Sequence, residues 1–420
     1  MIQITKVLVP ALAIAVFTFP VQADTLNWEA CVQEAWTQNA DLRAARANLE
    51  ASHYQARGAY SGYLPQVSAG AGYTESRDGA TTGTITTTPY TASISVTQNL
   101  FAGFQDQAKV AQGAANYDVA DASLAAVGAR VNHDLRSAFA GLGYAQDNLV
   151  LTDSIVRRLQ ENLRLVELRY EGGRENKGSY MLTKAQLSQA RFEYLQAQQA
   201  LATTQAQLAR ALGRAPSDGL AVSGAVPSGA PEARPDFARL TEQTPDHRQA
   251  AAEEKAAAAG IQLARAPLYP SLNLTGSSSR YGEQWYPEDL RRTVGLTLTV
   301  PILSGGKDYY GVKSAASTHV AAETNKEVVD RQVLVKLKQA HAAFVESVEK
   351  LNVDRDFLEA AGTRAEIARA KYQNGLISFE DWDRIETDFI LRQKTLLQSQ
   401  RERTNAEAVW ELTIGKGLTL

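Results

Sequence analysis

Four landmarks recur along this chain at a nearly constant offset, and no other feature limits its possible folds as much. Leu64-Pro65-Gln66-Val67-Ser68 is matched 205 residues later by Tyr269-Pro270-Ser271-Leu272-Asn273. Leu100-Phe101-Ala102-Gly103 is matched by Ile302-Leu303-Ser304-Gly305, Arg169-Tyr170-Glu171-Gly172-Gly173 by Lys371-Tyr372-Gln373-Asn374-Gly375, and Leu212-Gly213 by Ile414-Gly415, each 202 residues on. Single matches of this kind are weak, but four in register indicate internal duplication. The chain therefore divides into residues 24–214 and 236–420, two copies of one plan, joined by an Ala/Pro/Gly-rich linker over 215–235.

Proline placement shows what each half contains. No proline occurs between Tyr90 and Ala215 or after Pro301, and both tracts are rich in Ala, Leu, Gln, Glu, Lys and Arg, which favour helix. A first helix is expected from Asn27 to about Tyr60, with Ala35, Leu42, Ala45 and Leu49 at three- and four-residue steps. The period then switches to two. Val67, Ala69, Ala71 and Tyr73 alternate with Ser68, Gly70, Gly72 and Thr74; after a Thr/Gly-rich loop, Tyr90, Ala92, Ile94 and Val96 alternate with Thr91, Ser93, Ser95 and Thr97. The second half repeats this with Leu272 and Leu274, then Val294, Leu296, Leu298 and Val300. A long helical run follows each strand pair, the first from about Asp106 to Gly172, on the order of 100 Å at the helical rise. Gly172-Gly173 and Asn374-Gly375 stop these runs. Shorter helices return over about 179–212 and 379–414. Helices of such length cannot pack within one globule and predict a rod, a stalk or a tubular wall.

Composition excludes several classes of function. Hydrophobic residues make up 44% of the 420 and charged residues 21%, and the formal charge of −3 leaves no basic footprint for nucleic acid. Histidines 53, 133, 247, 319 and 341 lack metal-ligand spacing, and only two methionines are present. Leu303-Ser304-Gly305-Gly306-Lys307 is similar to an ABC ATPase signature, but without a Gly-x-x-x-x-Gly-Lys-Ser/Thr loop it reads as a strand end turning into a helix. There is no Gly-x-Ser-x-Gly elbow and no His-Glu-x-x-His, so neither an enzyme nor a cofactor site is expected.

The first 23 residues predict export. Lys6 supplies a positive start, Val7 to Phe19 an apolar core, and Val21-Gln22-Ala23 a small-residue cleavage pattern, so cleavage is expected after Ala23. The competing reading, a membrane anchor, needs about 20 apolar residues, more than this core has. Cys31 follows Trp28-Glu29-Ala30, well beyond the cut, so no lipid anchor is expected. Instead Asn27 caps a helix in which Cys31 packs against Leu26.

Beyond that leader no apolar run suffices for a transmembrane helix, so entry into a membrane requires strands. Four strands of near ten residues, apolar on one face and Ser/Thr/Gly on the other, fit an outer-membrane barrel wall with Ile94, Val96, Leu296 and Leu298 toward lipid. Aromatics near the strand ends (Tyr60, Tyr63, Phe101, Phe104, Tyr269, Tyr281, Trp285, Tyr286, Tyr309 and Tyr310) suit an interfacial girdle. A half-buried sheet of a soluble domain is the competing reading of the same pattern. Four strands cannot close a barrel alone, and unpaired backbone in lipid costs several kcal/mol per group, so a membrane sheet here requires several copies of the chain.

The duplicated plan, together with Leu64-Pro65 and Tyr269-Pro270, Asn99-Leu100-Phe101-Ala102-Gly103, Pro301-Ile302-Leu303-Ser304-Gly305-Gly306 and the two Tyr-x-x-Gly turns, resembles the TolC-like outer membrane efflux proteins over essentially the whole chain after residue 23. The resemblance implies a homotrimer in the outer membrane of a Gram-negative bacterium. Its fold would be mixed α and β, with a 12-stranded transmembrane β-barrel shared between protomers and a periplasmic α-barrel of 12 long helices. The function implied is a passive exit duct of a tripartite efflux or type I secretion system, reached through a periplasmic adaptor protein from an inner-membrane ABC or proton-driven transporter. The competing function is the adaptor itself, which would carry one helical hairpin flanked by lipoyl-like halves rather than two hairpins and two strand pairs.

Two sets of residues follow from that resemblance. The turns around Gly173, Arg174, Lys177 and Ser179 and around Gly375 and Ser378 would form the tip that meets the adaptor. The first of them, Gly173 to Ser179, is unusually polar and lacks the acid that some members carry just after it. Alignment through Tyr372 and Gly375 places Asp381, with Glu380 and Asp383 nearby, at a carboxylate ring narrowing the tunnel, and makes Tyr372 a further candidate of that gate. Here Ile377 and Arg384 depart from the family pattern. On the residues alone, Ser378-Phe379-Glu380-Asp381 reads equally as a capping box, in which acids stabilise a helix start by about 0.3–1 kcal/mol.

Overall fold

A computed structural model describes residues 24–74, 76–80, 83–87, 90–215 and 219–418. The expected leader over residues 1–23, and its cleavage after Ala23, lie outside these residues. The first half runs β1 (Asp24–Leu26), α1 (Trp28–Gln38), α2 (Ala40–Gly58), β2 (Gln66–Tyr73), β3 (Ser76–Ala80), β4 (Gly83–Thr87), β5 (Tyr90–Ala102), α3 (Gln105–Glu171) and α4 (Lys177–Leu212). The second runs β6 (Leu220–Val222), α5 (Phe237–Gln243), α6 (Pro245–Arg265), β7 (Ser271–Gly282), β8 (Asp289–Thr299), α7 (Lys307–Gln373) and α8 (Phe379–Thr413). The long helices α3 and α7 each have 67 residues, about 100 Å of rise. Both begin and end 202 positions apart.

Three local features differ from the sequence reading. The first helix is not continuous to Tyr60: Asn39 breaks it, its Oδ1 accepting from the Asp41 and Leu42 amides at 3.0 and 3.2 Å while its amide donates to Ala211 O at 2.9 Å. An Asn that can cap its own following turn competes with continued helix, as Thr244 does between α5 and α6. The Thr/Gly-rich loop between β2 and β5 contains a hairpin, β3 with β4, since Ile85 among threonines has strand propensity. The third lies in the 215–235 stretch, which holds β6. This strand pairs in parallel with β1, Leu26 opposite Val222, and puts Leu220 and Val222, with Val226 beyond it, into a core with Cys31, Leu135, Phe139 and Leu208. Asn27 caps α1 by accepting from the Ala30 amide at 2.9 Å, and Cys31 and Leu26 share that core.

The elements form three tiers, each ordered from the first half to the second. The sheet runs β2-β5-β7-β8, antiparallel throughout. Below it α2 packs on α3, α3 on α6, and α6 on α7. Further down α4 packs on α3, α3 on α8, and α8 on α7. Every tier is thus a single layer with a first-half element at one edge and a second-half element at the other. In a compact globule such a layer would fold back on itself. Here it remains an open wall.

The join between sheet and long helix is tight. Leu100 is the extra residue of a bulge, after which Phe101 pairs with Leu272. Gly103 takes φ +60°, where a Cβ would lie 2.4 Å from the Ala266 carbonyl oxygen, so only glycine fits. Phe104 follows at φ +67°, the one non-glycine residue with positive φ among those described. That conformation costs about 1–2 kcal/mol. The ring is held edge-on by Phe101 at 5.2 Å and Tyr269 at 5.7 Å.

Candidate functional sites: the sheet face and the paired turns

The strand register sorts the sheet into two chemically different faces. Partners across an antiparallel pair share a face, and residues two apart along a strand share it too. Val67 opposes Val96, which opposes Gly276, which opposes Val294, while Ala69 opposes Ile94 in the neighbouring row. Leu274 with Leu296 and Leu272 with Leu298 continue the same face. The other face holds Ser68, Ser95, Ser277 and Thr293 in one row, with Asn273 and Thr297 in another. Ile94, Val96, Leu296 and Leu298 are all exposed, Leu296 at 64% and Leu298 at 63%. Contiguous apolar surface of this extent marks an interaction surface rather than one left to water.

Aromatic rings mark both ends of this face. At the loop end Tyr73, Tyr90 and Trp285 are in contact, with ring centres 5.0 and 5.8 Å apart. At the helix end stand Phe101, Phe104 and Tyr269. Ten strand steps from Tyr90 to Phe101, the bulge discounted, span about 33 Å, or ~25 Å along a barrel axis at the usual tilt of about 40°. The apolar band of an outer-membrane barrel is about 25 Å tall. Among the described residues no helix is long and apolar enough to cross a membrane.

At the opposite end the two turns share one backbone. The Arg174 amide donates to Arg169 O at 2.8 Å and the Gly173 amide to Tyr170 O at 3.0 Å; the Leu376 amide donates to Lys371 O at 2.9 Å and the Gly375 amide to Tyr372 O at 3.0 Å. Both are Schellman stops with glycine at φ +66° and +73°. Asn176 then caps α4 and Ser378 caps α8, each accepting from the amide three residues on. Arg174, Lys177, Gly375 and Ser378 are exposed, whereas Ser179 is buried and donates its hydroxyl to Glu175 Oε1 at 3.0 Å.

The acids after the second turn have local partners. Ser378 Oγ accepts from the Asp381 amide at 3.1 Å and lies 3.0 Å from Asp381 Oδ2, and Arg384 donates to Asp381 Oδ1 at 2.6 Å. Asp383 accepts from Gln186 Nε2 on α4 at 2.9 Å, and Glu380 is exposed. Tyr372 stands apart from these acids. It is fully buried and stacks on Trp382 at 4.4 Å and 5°, inside a cluster with Val166, Ala368 and Phe379.

From that position Tyr372 reaches into the other half of the chain. Its hydroxyl donates to Glu175 Oε2 at 2.9 Å, and Arg169 donates to its carbonyl at 2.9 Å with the guanidinium 4.5 Å from its ring. Burial first, then the Glu175 carboxylate, pushes the Tyr372 phenol well above its ordinary value, against the opposing pull of Arg169. One layer up, Arg158 on α3 forms a two-bonded pair with the buried Glu386 on α8, at 2.7 and 3.0 Å. The carboxylate of the first turn that bonds to the second half is Glu175, inside the turn. Sequence reasoning also passed over Arg169, Trp382, Arg158 and Glu386. The 202-residue offset held the signal for Trp382, because it pairs Trp382 with Tyr180 and Tyr372 with Tyr170. Among the described residues no group of three or more His, Cys, Asp or Glu side chains is placed to hold a metal.

A duplicated, open-edged helical wall continuing into a sheet with one lipid-compatible face is the construction of a channel protomer rather than an enzyme. The profile described as Outer membrane efflux protein matches residues 31–214 and 238–415, and the chain belongs to that family. Solved structures with the same fold include CusC, at 20% identity and TM-score 0.82, covering 93% of this chain and 92% of that one. VceC from Vibrio cholerae follows at 19% and 0.80, covering 93% and 96%. The open-state MtrE channel of Neisseria gonorrhoeae has values of 19% and 0.78, covering 93% and 89%. The Nodulation protein T of Rhizobium leguminosarum bv. viciae is 28% identical over 166 residues, 39% of this chain and about a third of that relative's length, 32%.

Proposed function

We propose that three copies of this chain close into a passive exit duct across the outer membrane, serving a tripartite efflux or type I secretion system. One observation carries the reading: every tier is a single layer open at both edges, and its sheet exposes an apolar face of membrane height. Strand edges left unpaired in lipid cost several kcal/mol per backbone group, so β8 of one copy must meet β2 of the next. Three four-stranded sheets make a barrel of twelve strands, and the helical tiers extend the same closure into the periplasm.

The turns at the far end then form the periplasmic tip. Arg174 and Lys177 project from it beside Gly375 and Ser378, the surface offered to an adaptor protein that links the duct to an inner-membrane transporter. The tip is held shut by contacts between the halves, Tyr372 with Glu175 and Arg158 with Glu386. Threefold symmetry brings three copies of Asp381 around the axis, with Glu380 and Asp383 beside them, a ring that favours multivalent cations.

Edge disulfides test the shared barrel. With Ser68→Cys fixed in β2, a second cysteine is moved from Thr293 to Thr299 in β8. A covalent trimer is expected where the second cysteine falls opposite position 68 on the same face, at one or two of these positions, and its absence at all seven would contradict the closure.

A further inference from the structure

Two arginines lie on the apolar face of the sheet, where a membrane reading leaves them unexplained. Arg280 in β7 opposes Leu290, and Arg292 in β8 opposes Ser278, so both fall on the face of Val294, Leu296 and Leu298. They are diagonal neighbours across the pair, with Cβ atoms about 7–8 Å apart. Both are exposed, and no ion pair of either is found among the described residues. Arg280 is two residues from the end of β7, and its Nη1 donates to the Tyr286 hydroxyl at 3.2 Å, with the guanidinium 5.6 Å from the ring. That contact fixes it at the level of the loop-end aromatics. Asp289, opposite Tyr281, falls on the other face together with Arg291.

Two like charges this close repel each other, and in the middle of a lipid-facing band each would cost about 2–4 kcal/mol, falling toward zero at the interface. Arg280, two residues from the end of β7, escapes most of that cost by position; Arg292, three residues into β8 in the row of Ser278 and Ile94, escapes it only by extending its guanidinium along the wall toward the loop end. The repulsion remains until an anion lies between them. Guanidinium groups bind phosphate through paired hydrogen bonds, and the apolar rows directly beneath offer a surface for acyl chains. Phosphate above and hydrocarbon below are the two parts of a phosphorylated lipid.

We infer that Arg280 and Arg292 of each copy form a clamp for the phosphate headgroup of an anionic lipid in the leaflet at the loop end. The clamp rests on the reading that this sheet lies in a membrane. It ties the otherwise smooth outer wall to particular lipids at three equivalent places.

The test uses assembled protein in phosphatidylcholine nanodiscs doped with equal amounts of bis-phosphorylated lipid A and the same lipid with its phosphates removed. Retained lipid is counted by native mass spectrometry after release. The unaltered protein should keep the phosphorylated form at least about tenfold over the other, the factor that one charge-assisted hydrogen bond supplies. Arg280→Gln with Arg292→Gln should bring the ratio to within about twofold, and Arg291→Gln on the opposite face should leave it unchanged. No preference in the unaltered protein, a preference surviving in the double variant, or an equal loss with Arg291→Gln would overturn the clamp. Failure to retain any lipid would overturn the membrane reading instead.

Discussion

At the first turn Tyr170 and Tyr180 stack 5.6 Å apart with Tyr170 37% exposed; at the second, Tyr372 and Trp382 stack 4.4 Å apart, 0% and 1% exposed. The four residues occupy equivalent positions, 202 apart, on superimposable Schellman stops. Duplication therefore conserved the backbone hydrogen bonds and the idea of a ring pair, while burial went to one copy only. The neighbours explain it. Glu175 in the first turn is replaced by Ile377 in the second, so the second stack gains an apolar lid while the first turn keeps a carboxylate to bind Tyr372 across the interface. The acid that bonds across the two halves, Glu175, sits on the more exposed of the two turns.

The largest effect expected from that difference is at the stacks. Trp382→Ala should cost about 3–5 kcal/mol of local stability, read as hydrogen exchange in the α7–α8 turn, and Tyr180→Ala well under half of that. Equal losses would break the comparison. The Trp382 indole N–H is buried without a partner in the protomer, a deficit of about 1–3 kcal/mol. Trp382→Phe should accordingly be mild despite the lost area, which separates packing from hydrogen bonding at this ring.

A smaller effect is expected at the link between the turns. Tyr372→Phe removes a hydrogen bond to a carboxylate and should cost about 1.5–3 kcal/mol. Its pH dependence has a definite sign. The folded phenol titrates above its ordinary value of 10.0, so the neutral form is the one that folding favours. The contribution is complete below pH 10.0 and is lost as pH rises through the folded value. The melting-temperature gap between unaltered trimers and Tyr372→Phe should hence stay flat to that pH and narrow above it. A gap unchanged as pH rises well above 10.0 would contradict the buried, hydrogen-bonded phenol.

The smallest stability change belongs to Asp381, an exposed capping residue with an exposed partner, Arg384. Asp381→Asn should shift stability by no more than about 1 kcal/mol. In planar bilayers it should nonetheless weaken block by divalent and trivalent cations, because the proposed ring of three carboxylates would lose its charge. Unchanged block would leave Asp381 as a helix cap alone.

How far the sequence foretells this structure depends on the kind of signal. The 202-residue offset, the period-two strands and the proline-free tracts are local and repeated, so the four sheet strands and both 67-residue helices could be read directly. The apolar face was legible because alternation assigns it without any knowledge of neighbours. What escaped is what depends on distant partners. The β1–β6 pair joins residues nearly two hundred positions apart and carries only three residues in each strand. Asn39 looks like any polar residue in a helix until Ala211 is placed beside it. Glu175 reads as one more polar residue of its turn, since nothing near it in sequence announces Tyr372. The pairing of half-buried Arg158 with buried Glu386 is equally silent in both helices.

The central claim is that this chain forms one third of a continuous wall. Electron cryomicroscopy of protein extracted from outer membranes into nanodiscs tests it most directly. The account predicts three copies about one axis, twelve strands in one barrel within the lipid, and β8 of each copy paired with β2 of the next. A monomer that stays in solution without detergent, or three copies whose sheets lie outside the lipid with unpaired edges, would contradict it.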